Sequence, residues 1–241
     1  MNPVRRMRKN LPEAAPMPDS ASRIRTYVLR QGRITEAQKT ALETQGPHYV
    51  LPFSDRTLDF AAVFGPDRPI VMEIGFGMGQ ATWRIAKERS EFAYLAVEVH
   101  SPGVGRLLMD IDRENIDNLR IVQYDAIEVL EHMIAPASLA GLHIFYPDPW
   151  QKKRHHKRRI MRDDLIGLMV SRLVPGGYLY FVTDIEDYAQ ATYELLARTE
   201  GLRNPYSGFA PRREWRPETK FESRAKEDMR SAWELWCVRA S

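Results

Sequence analysis

The sequence predicts an α/β fold. It reads as an open, doubly wound, Rossmann-like sheet, mostly parallel, with an antiparallel carboxy-terminal strand and a short amino-terminal extension. Three observations carry this. From Arg68 onward, short apolar runs alternate with segments of helical spacing, the pattern of a parallel sheet covered on both faces. The first run closes on a glycine-rich turn, Gly75-Phe76-Gly77-Met78-Gly79, that leads into a helix, as in nucleoside-binding folds. The alternation then breaks near the end, where a Pro- and Arg-rich loop precedes one last apolar run.

In chain order, residues 1–22 hold prolines and charges without periodicity and read as a mobile tail. Residues 23–241 read as one domain, with 23–67 an extension packed on it. Arg23 to Arg30 reads as a short extended segment or a turn. Thr35 is an N-cap with Gln38 at the capping-box position, for a helix through Thr44 that Gly46-Pro47 stops. Strands follow at Ile70–Ile74, Phe92–Val99, Leu119–Gln123, Leu142–Phe145 and Tyr178–Thr183. Helices fall between them at Ala81–Arg89, Gly103–Glu114, Ile127–Ile134 and Asp163–Leu173, the last ending at Pro175-Gly176-Gly177. Ile185–Thr199 is helical, Leu202–Pro217 is the loop, and Ser231–Arg239 is the returning strand.

Composition narrows the class. With 241 residues and 44% hydrophobic content, the chain can bury a sizeable core. It has no apolar run of about 18 residues and no apolar segment after its basic start, so neither a membrane span nor a secretory signal is expected. A single cysteine, Cys237, allows no internal disulfide and fits a reducing cytoplasm. Net charge is only +3, but basic residues gather at Arg5–Lys9, Arg23–Arg33, Lys152–Arg159 and Arg212–Arg216, as on a polyanion-binding face.

Two stretches carry the chemistry. The first is Glu73-Ile74-Gly75-Phe76-Gly77-Met78-Gly79, whose glycines let a ligand approach the backbone. Glu98 ends the next strand, where ribose hydroxyls are usually met, and Asp125 follows the third, where it suits an adenine amine. The spacing is G-x-G-x-G with Gln80 next, and Glu73 precedes the first glycine. Both features disfavour a pyrophosphate, and so a nicotinamide dehydrogenase. They suit S-adenosylmethionine, which carries an ammonium, a sulfonium and a ribose. The second stretch is Phe145 to Arg159. Asp148 stands there between Pro147 and Pro149, Trp150 follows, and six of the eight residues from Lys152 to Arg159 are Lys or Arg. Prolines on both sides fix the acid's backbone. The strip suits nucleic-acid phosphates. Zinc at His155-His156 is disfavoured, because adjacent histidines seldom face one metal and no cysteine is near.

These residues resemble the bacterial tRNA (guanine-N7)-methyltransferases. The likeness runs from about Arg25 to Arg239, and its most specific part is Phe145-Tyr146-Pro147-Asp148-Pro149-Trp150 with the basic strip; Thr183-Asp184 and Thr219-Lys220-Phe221-Glu222 also match. The resemblance implies a class I methyltransferase fold and methyl transfer to a guanosine in the tRNA variable loop. By it, Glu73, Gly75, Gly77, Gly79, Glu98, Asp125 and Asp148 line the cofactor pocket, and Asp148 is also the catalytic residue. Lys152, Asp184, Thr219, Lys220, Phe221 and Glu222 meet the substrate, and Arg154, His155, His156, Lys157, Arg158 and Arg159 the RNA. No metal and no membrane are implied, and monomer and homodimer stay open. The rival from another class is an RNA-binding protein with a vestigial methyltransferase fold, which would bind no cofactor.

Overall fold

The computed structural model describes residues 24–28, 32–218, 222 and 231–240. The first helix, α1 (Glu36–Thr44), begins at Thr35 with the expected capping box: Gln38 N–H donates to Thr35 Oγ1 and Thr35 N–H donates to Gln38 Oε1. Gly46-Pro47 does not end helical structure. It opens a second, four-residue helix, α2 (Gly46–Tyr49), because proline in a first turn lacks only an N–H that has no intrahelical partner. The short strand β1 (Val50–Leu51) and α3 (Phe60–Phe64) follow. Both are too short for a periodic signal in the sequence.

The expected alternation then unfolds: β2 (Ile70–Ile74), α4 (Gln80–Glu88), β3 (Ala93–Val97), α5 (Ser101–Glu114) and β4 (Leu119–Val122). The next helix is split, with three α-helical residues, α6 (Ala126–Glu128), running into a π-helical turn over Val129–Met133. β5 (Leu139–Phe145) starts earlier than its apolar run suggested. α7 (Asp163–Arg172) leads directly into β6 (Leu173–Thr183). Pro175-Gly176-Gly177 therefore lies inside a strand, at the point where the β5–β6 register slips. α8 (Glu186–Arg198), β7 (Leu202–Arg203) and β8 (Trp233–Arg239) complete the chain.

The eight strands form one sheet in the order β1-β4-β3-β2-β5-β6-β8-β7. All neighbours are parallel except β6–β8 and β8–β7. Side chains alternate across it as the pleat requires. Met72, Leu95 and Val97 face one core with Leu130, Leu165, Met169 and Tyr188. Val71, Tyr94 and Ala96 face the other with Ile85, Leu107, Leu108 and Ile111. The chain runs outward from β2 to β3 and β4, then returns to β5 on the other side of β2. That reversal leaves a crevice at the carboxyl ends of β2 and β5, where ligands of such sheets bind. Among the described residues no helix is long and apolar enough to cross a membrane.

Candidate active site

A cavity of about 480 Å³ occupies the crevice. Its floor is the glycine turn after β2, where Gly75, Gly77 and Gly79 all have positive φ. Gly79 also has no room for a side chain, since a Cβ there would meet Leu107 of α5 at 2.8 Å. Glu73, Glu98 and Asp148 enter the same cavity from β2, β3 and the segment after β5. Asp125 stands at its edge, between the lining residues Tyr124 and Ala126. Its carboxylate caps α6, accepting from Ile127 N–H at 2.9 Å.

Glu73 and Glu98 play different parts. Glu98 Oε2 accepts from Gly77 N–H at 2.9 Å, and Oε1 accepts from Val99 and His100 N–H at 2.7 and 3.1 Å. It therefore shapes the glycine turn, with one lone-pair position of its carboxylate left for a ribose hydroxyl. Glu73 is only 4% exposed. Burial, and then the nearby charge of Glu98, push its carboxyl up to about 7, with Thr82 opposing the rise. A carboxylate so poorly solvated favours a cation beside it. An amine- or sulfonium-bearing ligand fits it and a phosphate does not.

Asp148 projects from a strained turn. Tyr146 and Trp150, on either side of Pro147-Asp148-Pro149, both have positive φ, at 48° and 45°. That conformation is uncommon for bulky residues and needs outside support. Tyr146 N–H donates to Val182 O at 2.8 Å. Trp150 Nε1 donates to Thr26 O at 3.1 Å, and the Arg158 guanidinium lies 4.1 Å from the Trp150 ring centre while its Nε donates to Arg25 O at 3.2 Å. The motif thus binds residues 25 and 26, and Thr26 and Tyr27 line the cavity. Tyr27 lies against Asp125, and burial together with that carboxylate pushes its phenol up to about 12.

The basic strip divides in two. Lys152, Lys153, Arg154 and Lys157 are exposed, with Lys153–Arg158 wound as a 3-10 helix. Arg159 is 4% exposed. Its Nε donates to Pro149 O at 2.9 Å, its Nη2 to Asp187 Oδ2 at 2.7 Å, and it lies 4.4 Å from the Tyr188 ring centre. It ties the Pro-Asp-Pro turn to the start of α8. His155 meets the Trp150 ring edge-on, and His156 lies 3.9 Å from Asp187. The Arg212–Arg216 cluster is likewise engaged by other side chains, although only Arg216 among its arginines is buried. Arg216 is fully buried, Arg212 pairs with Glu222, and Arg213 covers the Trp236 ring.

Lys152, Asp184 and Glu222 do not line the cavity. Asp184 follows the β6 end beside it, since Phe145 pairs with Val182. Thr219, Lys220 and Phe221 lie outside the described residues. Two contributors escaped the sequence reading. Tyr27 has no motif around it. Gly103 does leave a trace, a glycine inside a helix's first turn, where glycine is less favourable than most residues. A Cβ there would sit 2.1 Å from Gly77 O, so α5 reaches the glycine turn only because residue 103 is glycine.

Fold and site together define a class I, S-adenosylmethionine-dependent methyltransferase. Residues 67–235 match the family model described as "Putative methyltransferase". The chain is 49% identical over 228 residues to the tRNA (guanine-N(7)-)-methyltransferase of Bordetella pertussis, covering 95% of this chain and 90% of that protein. The chain belongs to the tRNA (guanine-N(7)-)-methyltransferase family. The enzymes of that name from Paraburkholderia xenovorans and Nitrosospira multiformis are 49% and 47% identical, over 88% and 89% of this chain and 82% and 93% of theirs. Among solved structures, the 16S rRNA methyltransferase KamB shares the fold at a TM-score of 0.56 and 12% identity, covering 77% of this chain and 95% of that one. The antibiotic-resistance methyltransferase Kmr follows at 0.52 and 11%, covering 79% and 95%.

Proposed function

We propose that the protein transfers a methyl group to N7 of a guanosine in the variable loop of tRNA, in the cytoplasm and without a metal. The observation that carries this is one cavity joining a cation-seeking acid, Glu73, to Asp148 on a strained turn that continues into the exposed Lys152, Lys153, Arg154 and Lys157. Bound S-adenosylmethionine supplies an electrophilic methyl on a cationic sulfur. Glu73 would hold its ammonium, Glu98 its ribose, and the glycine turn would lie against it.

Guanine N7 has a free lone pair, so no proton leaves before attack and neither a general base nor a metal is needed. The protein's work is alignment, an effect worth up to about 7–11 kcal/mol. Asp148 stabilises positive charge near the reacting atoms as it moves toward the purine ring. The Hoogsteen edge of guanine offers only acceptors, N7 and O6. Asp184 therefore suits the N1–H and N2 amine donors of the opposite edge, and Lys152 with residues 219–221 suits the remaining substrate contacts. Lys153, Arg154 and Lys157 would track the RNA backbone, with His155, His156 and Arg158 shaping that face.

The test is single-turnover methylation of unmodified tRNA by wild type and Asp148→Asn. A loss of about 10²-fold in the variant, with cofactor affinity retained, supports the electrostatic role. A variant rate near wild type refutes it, and cofactor binding without transfer by the wild type supports a vestigial fold instead.

A further inference from the structure

Glu222 is 3% exposed, and its carboxylate is already taken. Arg216 Nη1 donates to its Oε2 at 2.9 Å, Arg216 Nη2 reaches Oε1 at 3.2 Å, and Arg212 Nη1 also donates to Oε1. Three of roughly four lone-pair positions are filled. Arg216 is itself 1% exposed. Its Nη2 also donates to Glu234 Oε1 at 2.7 Å and its Nε to Tyr180 Oη at 3.1 Å, while Tyr180 donates to the second oxygen of Glu234. Arg212 Nη2 closes the group on Arg216 O at 2.7 Å. Two guanidiniums and two carboxylates balance in charge. Only a planar fork with donors on three nitrogens can serve all these acceptors at once. The group adjoins the reaction site, because Glu234 pairs in register with Val182 of β6, whose carbonyl accepts from the N–H of Tyr146, and Tyr146 lines the cavity beside Asp148.

We infer that Glu222 serves the reaction as an anchor rather than as a base contact. Arg216 is the positioning residue that holds it, fixing the chain at residue 222 between β6, β8 and the wall of the cavity. A guanine edge cannot displace this carboxylate without leaving buried guanidinium N–H donors of Arg216 unsatisfied, which is costly. The inference rests on the methyl-transfer reading above and assigns Glu222 a different part from Asp184.

The test compares wild type and Glu222→Gln on tRNA carrying guanosine, inosine or 1-methylguanosine at the methylated position. Inosine lacks the N2 amine and 1-methylguanosine lacks the N1 proton. An anchor role predicts a fall in kcat/KM of roughly 10-fold or more on guanosine, with the relative preference among the three acceptors unchanged. A variant that no longer distinguishes the acceptors overturns the inference, and so does an unchanged rate on all three. A second arm replaces Arg216, Glu222 and Glu234 together by Met, Leu and Leu, because Arg216→Met would otherwise leave the buried Glu234 carboxylate without its guanidinium. Removing all three buried charges restores much of the activity lost in Glu222→Leu alone if the group is an anchor, whereas a base contact stays lost. Calorimetric cofactor affinity separates a misfolded preparation from a mispositioned one. If the triple variant fails to fold, the acceptor comparison on Glu222→Gln still decides. Absence of methylation by the wild type would instead overturn the assigned reaction.

Discussion

Replacing Glu73 by Gln should stabilise the cofactor-free protein at neutral and alkaline pH while weakening its hold on S-adenosylmethionine. The carboxyl is pushed from its ordinary 4.5 to about 7 by burial and by Glu98. The native state therefore keeps a proton that the unfolded chain releases between pH 4.5 and 7. Stability falls as pH rises through that window, and above it the ionised group costs about 3 kcal/mol. Glutamine has the same shape and no charge, so it removes this cost. For a chain of this length that corresponds to a rise in Tm of about 2–4 °C per kcal/mol. His143 works in the opposite sense. Its imidazole, buried between Phe145, Tyr178 and Trp215, is held down to about 3. It contributes stability above pH 6.5 that is lost as pH falls toward 3. The two slopes oppose each other between pH 4.5 and 6.5, so the wild type should look flat there and Glu73→Gln should unmask the His143 slope.

The assay is denaturant unfolding of both proteins from pH 4.5 to 8.5, with calorimetric cofactor binding alongside. Binding a cation should bring Glu73 back to its ionised form. Wild-type affinity should then rise with pH up to about 7 and level off, and the variant should be weaker and lack that slope. Comparing both proteins on one ligand cancels the ligand's own titration. A stability difference that does not widen with pH, or a variant that keeps the wild-type binding slope, refutes the reasoning.

Four further outcomes are expected. Neutralising Lys153, Arg154 and Lys157 together should flatten the salt dependence of tRNA binding by about 2–3 in log–log slope without changing cofactor affinity. Arg159→Ala, which removes the tie from Pro149 to Asp187, should cost about 2 kcal/mol of stability and leave that slope alone, as chemical denaturation and salt titration would show. Gly103→Ala should push α5 off the glycine turn and weaken cofactor binding roughly 10-fold or more by calorimetry, since overpacking costs about 1–3 kcal/mol. Trp150→Phe should lose the bond to Thr26 O, worth about 1 kcal/mol, and raise hydrogen exchange at residues 25–28.

Much of this was legible in the sequence because the signals are local. The capping box at Thr35, the glycine turn and the short apolar runs of β2 and β3 each sit within a few residues. What was hidden depends on distant partners. Arg159 and Arg158 are neighbours of one type in one charged strip, yet one is buried under α8 and the other lies on an indole. Only the fold decides which lysine or arginine meets water. Arg216 reads as part of a basic cluster because the acids that bury it, Glu222 and Glu234, lie 6 and 18 residues away. The slipped register of β6 concealed a strand behind Pro175-Gly176-Gly177, residues that ordinarily mark a turn. Tyr27 reaches the cavity from a segment too short to carry a pattern.

The most direct measurement is to incubate the protein with unmodified tRNA and methyl-labelled S-adenosylmethionine, then cleave the RNA chemically at 7-methylguanosine. A single cleavage in the variable loop, dependent on the protein and lost with Asp148→Asn, is the predicted result. Label in another base or atom, or cofactor binding with no transfer to tRNA, would contradict the assigned reaction.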